Sequence, residues 1–134
     1  MTVPATATFV STRPADACDV VAPDGSEIRL LPQLDGGSMV HCTLPPGVVS
    51  LAVTHRTVEE HWYVLAGEGL LWRRQGEHQE VVPLRPGTAH TIPLGTHFQF
   101  RNPGETPLVL VIVTMPPWPG MDEAVRVADH WPAG

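Results

Sequence analysis

The sequence predicts an all-β domain, a sandwich or small barrel of antiparallel sheets, and three observations carry that expectation. Short runs rich in β-branched, aromatic and aliphatic residues recur along the chain. Pro- and Gly-rich turn signals separate them at close intervals. Nothing before residue 120 keeps a helical period. Many short strands at regular spacing bury their apolar faces by packing two sheets together or by closing one on itself.

Taken in order, the first run is Thr6 to Ser11, and Pro23-Asp24-Gly25 turns the chain into Ile28 to Leu31. Gly36-Gly37 precedes Ser38 to Leu44, where Val40, Cys42 and Leu44 alternate as one apolar face. Pro45-Pro46-Gly47 leads into Val48 to Val53. His61 to Ala66 and Gly69 to Arg74 flank a turn at Gly67, and His78 to Pro83 follows. Arg85-Pro86-Gly87, Pro93-Leu94-Gly95 and Asn102-Pro103-Gly104 then bracket Ala89 to Ile92, Thr96 to Arg101 and Leu108 to Met115. The prolines cluster at strand ends, where a missing N–H removes no ladder bond. After Gly120, Asp122 to Asp129 is expected to form one or two helical turns.

A chain of 134 residues suits one domain, here residues 1–134, with a core barrel over about 38–115. Apolar residues at 43% and charged residues at 16% exclude disorder by composition. The longest apolar run, Leu108 to Val113, is too short to span a bilayer, so no membrane partner is expected. The first twenty residues lack a charged region followed by an apolar block, which makes a cytoplasmic location the expectation. All eight basic residues are arginine, which rules out lysine Schiff-base chemistry and a phosphate-binding G-K-[ST] loop. A net charge of −6 without a basic stripe argues against nucleic acid. Cys18 and Cys42 have no C-x-x-C spacing and read as two reduced, small side chains.

Two motifs carry more specific information. Between Gly47 and Gly67, GVVSLAVTHRTVEEHWYVLAG follows G-x5-H-x-H-x(3,4)-E-x6-G, with His55 and Glu60 in register and Val53 at the first histidine. GTAHTIPLGTHFQFRN follows G-x5-P-x-G-x2-H-x3-N through Gly87, Pro93, Gly95 and Asn102, with Phe98 at the histidine. The chain therefore resembles a small single-domain bacterial cupin with a degenerate metal motif, from about Ser38 to Met115. The resemblance implies a jelly-roll barrel of two antiparallel sheets, commonly a homodimer in which edge strands or N-terminal strands pair across the interface.

The resemblance also implies an inward Glu60, which by alternation turns Trp62 and Val64 into the interior; the ligand position at 98 does the same for Phe98 and Phe100. The expected cavity is apolar, with Val40, Cys42, Val53, Trp62, Phe98 and Phe100 as substrate-binding walls and His55 and Glu60 as the catalytic polar pair. His41 and His97 should look outward, and the parity of His90 stays open. Two surviving ligands hold a divalent ion poorly, so no cofactor is expected; a metal would need His90 or His97 beside His55 and Glu60.

Three functions remain open on these residues. One is a metal-independent isomerase, lyase or cyclase, of the kind found in bacterial secondary metabolism, using His55 and Glu60 for acid/base work on a small-molecule substrate. The others are a metal-dependent cupin enzyme with an unorthodox ligand set and a non-catalytic binding or sensing module.

Overall fold

The computed structural model describes residues 8–133, and their regular structure is strand throughout apart from one 3-10 turn. In chain order these are β1 (Val20–Val21), β2 (Glu27–Leu34), β3 (Gly37–Leu44), β4 (Val53–His55), β5 (Glu59–Ala66) and β6 (Gly69–Gln75). They continue with β7 (His78–Leu84), β8 (Ala89–Ile92), β9 (His97–Arg101), β10 (Leu108–Met115) and β11 (Ala124–Arg126). One sheet runs β1-β2-β3-β10-β5-β8 and the other β11-β4-β9-β6-β7, with every pairing antiparallel. This is the expected two-sheet jelly roll.

Three expectations need correction. Of the first run, residues 6 and 7 lie outside the described residues, and 8–11 form no strand. Val48 to Val53 is not a continuous strand: it makes one isolated bridge, Val49 to Arg101, before β4 begins. The Ser50 hydroxyl accepts the Phe100 N–H there, so a side chain takes the place of a ladder carbonyl. The helix expected over Asp122 to Asp129 is a 3-10 turn at Met121–Glu123 followed by β11, because the backbone of Ala124 to Arg126 finds β4 to pair with.

The inward faces of β3, β10 and β5 stack in layers set by their register. Leu110 stands opposite Cys42 and Val64, Ile112 opposite Val40 and Trp62, and Thr114 opposite Ser38 and Glu60. Cross-strand partners share a face, so the interior grades from aliphatic to polar along the sheet. The opposite sheet contributes Phe98, Phe100 and Leu71 to the same core. Trp62 meets Phe100 edge-on at 4.9 Å and Phe98 at 5.7 Å, geometries that add about 0.5–1.5 kcal/mol per pair beyond burial.

The signature residues that are not ligands hold the turns. Gly47, Gly67, Gly87 and Gly95 all sit at φ between 77° and 83°, where a side chain is strained. At Gly67 a Cβ would also stand 2.2 Å from the Pro107 carbonyl oxygen. Asn102, fully buried, donates to the Leu44 and Thr106 carbonyls and accepts from Gly104 N, tying two loops together.

Candidate functional site

Between the polar ends of the two sheets lies a cavity of about 360 Å³. Ile28 and Leu31 on β2, Val40 on β3, Trp62 on β5, Val53 on β4 and Phe98 on β9 supply most of its apolar wall. The three titratable groups in that wall are Asp24, His55 and Glu60.

Glu60 belongs to the six-stranded sheet and His55 to the five-stranded one, so they face the cavity from opposite walls. The tight Arg56-Thr57-Val58 connection between β4 and β5 brings them to the same end. Glu60 is 7% exposed, and burial pushes its carboxyl up to about 8, against the Trp62 bond that favours ionisation. Trp62 Nε1 donates to Glu60 Oε1 at 3.0 Å. That bond occupies Oε1 and leaves Oε2 for the acid proton at neutral pH.

His55 is 8% exposed and wedged edge-on between Phe98 and Trp118, each at 5.1 Å. Burial pushes its imidazole down to about 4, with the negative charge of Glu123 offsetting part of that. Its Nδ1 is buried without a hydrogen-bond partner. No hydrogen bond joins His55 to Glu60 among the described residues, although both line the one cavity. At neutral pH the site thus presents an imidazole able to accept a proton and a carboxyl able to donate one.

Four of the expected wall residues, Val40, Val53, Trp62 and Phe98, line the cavity. Cys42 and Phe100 do not: both are buried inward but sit one layer deeper, in the packed core. Alternation decides the face a side chain takes, and cavity depth decides whether it reaches the hollow. Neither His90 nor His97 is in the cavity wall. His90 pairs across from Trp62 on edge strand β8 and has Nε2 2.9 Å from Thr88 Oγ1; His97 neighbours inward Phe98 and so faces away.

Three contributors were not foreseen. Asp24, in the turn between β1 and β2, lines the cavity; its Oδ1 accepts from Ser26 N at 3.0 Å and Ser26 Oγ at 2.7 Å. Trp118, expected only to pin the C-terminal segment, forms part of the roof over His55. Glu123 is buried beside it, accepting from Thr57 N at 2.8 Å and from the Thr57 hydroxyl. Its carboxyl is held below the usual range by those bonds, which outweigh desolvation. Pro23-Asp24-Gly25 was legible as a turn, but turn chemistry does not say what the turn overhangs.

The donor set does not suit a four-ligand cupin metal centre. Val53 and Phe98, at the two altered ligand positions, are direct cross-strand partners and form one hydrocarbon wall. Among the described residues no group of three or more His, Cys, Asp or Glu is arranged to hold a metal ion.

A family model described as a cupin domain matches residues 40–114, more than half of the chain. The chain belongs to the cupin family. This cupin is similar to the xanthan biosynthesis protein XanB of Xanthomonas campestris pv. campestris, 36% identical over 89 residues, which is 66% of this chain and 18% of XanB. It is also similar to a mannose-1-phosphate guanylyltransferase of Klebsiella pneumoniae, 26% identical over 119 residues, 89% of this chain and 22% of that protein. The chain thus spans about a fifth of the length of these curated, sugar-related relatives. Among solved structures, a Cupin 2 conserved barrel domain protein from Salinispora arenicola aligns with a TM-score of 0.65 at 21% identity, covering 80% of this chain and 89% of that one. That likeness shows the fold. No helix among the described residues is long and apolar enough to cross a membrane.

Proposed function

We propose that this cupin catalyses proton transfer on a small carbonyl-bearing molecule, an isomerase, lyase or cyclase type of reaction that routes no step through a metal. The observation that carries this reading is the pairing of a proton-accepting imidazole with a proton-donating carboxyl on opposite walls of one apolar cavity. The carbonyl oxygen of the substrate accepts from Glu60 Oε2–H. A nitrogen of the His55 ring takes the proton from the adjacent carbon, so the C–H pair becomes the C=C of an enol and the acid proton passes to oxygen. Return of a proton to a different carbon, with Glu60 reprotonated from the enol, completes an isomerisation with no net change in protons. Apolar walls raise the strength of both hydrogen bonds by excluding water.

Deuterium wash-in at the α-carbon of a panel of ketones and lactones in D2O, followed by NMR, tests this across several carbonyl classes at once. Catalysed exchange should fall by about 10²–10⁴-fold in Glu60→Gln and in His55→Ala, the range expected for a positioned acid or base. Equal exchange in wild type and both variants removes the pair from any mechanism.

The same reading includes a homodimer. Strand β1 covers only Glu27 and Ile28 of β2, Asp19 Oδ2 takes the Leu30 N–H, and the edge beyond, which no strand covers among the described residues, carries exposed Leu34 beside exposed Leu30. An unpaired apolar edge is suited to pairing with a second copy. Sedimentation should give twice the chain mass, and a Leu34→Lys substitution should return it to one.

A further inference from the structure

The cavity has a second acid that the proton-transfer reading does not use. Asp24 is held over the mouth by its own turn: Ala22 N bonds the Ser26 carbonyl, Gly25 N bonds the Ala22 carbonyl, and Leu51 N, from the other side of the sandwich, bonds the Asp24 carbonyl. With Oδ1 committed twice to Ser26, Oδ2 has no hydrogen-bond partner among the described residues and belongs to a residue of the cavity wall. Glu60 Oε2 is likewise unpartnered on a side chain 7% exposed in the same wall. The remaining hydroxyls are spoken for: Ser38 bonds Thr114 and accepts from Trp118 N at 3.1 Å, and Ser26 bonds Asp24.

No arginine lines this cavity, and the chain has no lysine. Arg29, on a strand that does line it, spends its guanidinium on the Ala15 and Asp16 carbonyls, and Arg56 spends its Nε on the Asp122 carbonyl. An anion moved from water into such a space loses its hydration with no counter-charge to replace it, a cost of several kcal/mol. We infer that the cavity takes an uncharged, flat molecule with two acceptor oxygens, one met by Glu60 and the other by Asp24, and that it rejects sugar phosphates and carboxylates. The inference rests on the reading of Glu60 as a hydrogen-bond donor to substrate, and extends it to the substrate's charge and to a second contacting residue. Burial raises both acids, Glu60 to about 8, which shifts each toward its neutral, donating form and disfavours a cationic ligand. Trp62, Phe98 and Trp118 supply aromatic surface to the wall, against which a flat ring can pack.

Isothermal titration at pH 6.5 with four probes tests this: chromone as the neutral bicyclic, chromone-2-carboxylate as its matched anion, mannose 1-phosphate, and 1-naphthylmethylamine as a cation of similar size. Chromone should bind with a dissociation constant below about a millimolar and at least tenfold more tightly than the other three, a gap of about 1.4 kcal/mol. Asp24→Ala should weaken chromone by about five- to tenfold, one hydrogen bond's net worth. Asp24→Asn, which keeps both the turn acceptor and a donor in place of Oδ2, should stay within about twofold of wild type. If the carboxylate, the phosphate or the amine matches chromone, or if chromone fails to bind, the assignment is wrong. If Asp24→Ala, checked for an unchanged melting temperature, binds chromone like wild type, Asp24 has no part in it. These binding results stand apart from deuterium exchange: loss of the acid/base mechanism would leave the charge selectivity measurable.

Discussion

The two ends of one sandwich, built on the same strands, carry opposite chemistry. At the closed end, Leu108, Leu110, Cys42, Leu44 and Val64 are fully buried and touch one another. Two layers along the same inward faces, Thr114, Ser38 and Glu60 replace them and open on the cavity. From Leu110 to Thr114 no change of strand, face or register separates the layers, only the residue written at every second position. Stability and function are therefore expected to separate by height along the barrel, and substitutions at each height can break or sharpen that division.

The largest effect should come from the polar layer. Glu60→Gln removes the donated proton while preserving the Trp62 bond, so turnover should drop by about 10²–10⁴-fold with the melting temperature unchanged or raised. A variant that instead unfolds would mean the polar layer also holds the barrel together. In the closed layer, Leu110→Ala should cost about 2–5 kcal/mol in denaturant unfolding. Activity per folded molecule should survive. A large fall in the rate of folded Leu110→Ala would show that the closed end sets the geometry of the cavity.

The titration of the polar layer gives a smaller signature. Glu60 is raised from 4.5 to about 8 by burial, so above pH 4.5 the unfolded chain releases a proton that the fold retains, and stability falls as pH rises toward 8. His55 is lowered from 6.5 to about 4, also by burial, so between those values the unfolded chain binds a proton that the fold refuses, and stability rises with pH. The two slopes oppose each other from 4.5 to 6.5 and leave a plateau. Above 6.5 only Glu60 acts, and stability should fall by about 1–2 kcal/mol up to pH 8. Glu60→Gln should abolish that fall while uncovering the rise below 6.5. Activity should be greatest inside the same limits, with its basic limb set by Glu60 and its acidic limb by His55.

The same division by height explains what the sequence made legible. Glycines at positive φ, the buried turn asparagine Asn102 and strand alternation are local or periodic constraints, and each was legible in the motif spacing or in the pattern of apolar residues. Among the walls, Val40 followed from apolar alternation, while Val53, Trp62 and Phe98 followed from the inward positions that the cupin resemblance assigns, extended by alternation. Cys42 and Phe100 were placed on the correct face but at the wrong height, because a period of two carries no information on where the packed core stops. Asp24, Trp118 and Glu123 reach the site from outside the two signatures, through a turn and a returning C-terminal strand whose partner β4 is distant in sequence. Such long-range docking leaves no local pattern, and Ala124 to Arg126 read as helix for the same reason: pairing to β4 overrides a weak propensity.

The most delicate test compares neighbouring layers with one small change each. Cys42→Ser and Val40→Thr both place a hydroxyl on the inward face of β3, two residues apart. Cys42 is fully buried, and burial pushes even its thiol pKa upward, so a hydroxyl there should lack a water partner and cost about 1–3 kcal/mol unless it bonds Ser26. Val40 is half-buried on the cavity wall, where a hydroxyl faces open space that a water can enter when no substrate is bound, so Val40→Thr should cost less than about 1 kcal/mol. Denaturant midpoints of the two variants measure the difference directly. Equal costs would mean that the hollow is as dry as the core beneath it, and that the boundary drawn between Cys42 and Val40 is one of shape without a change in solvation.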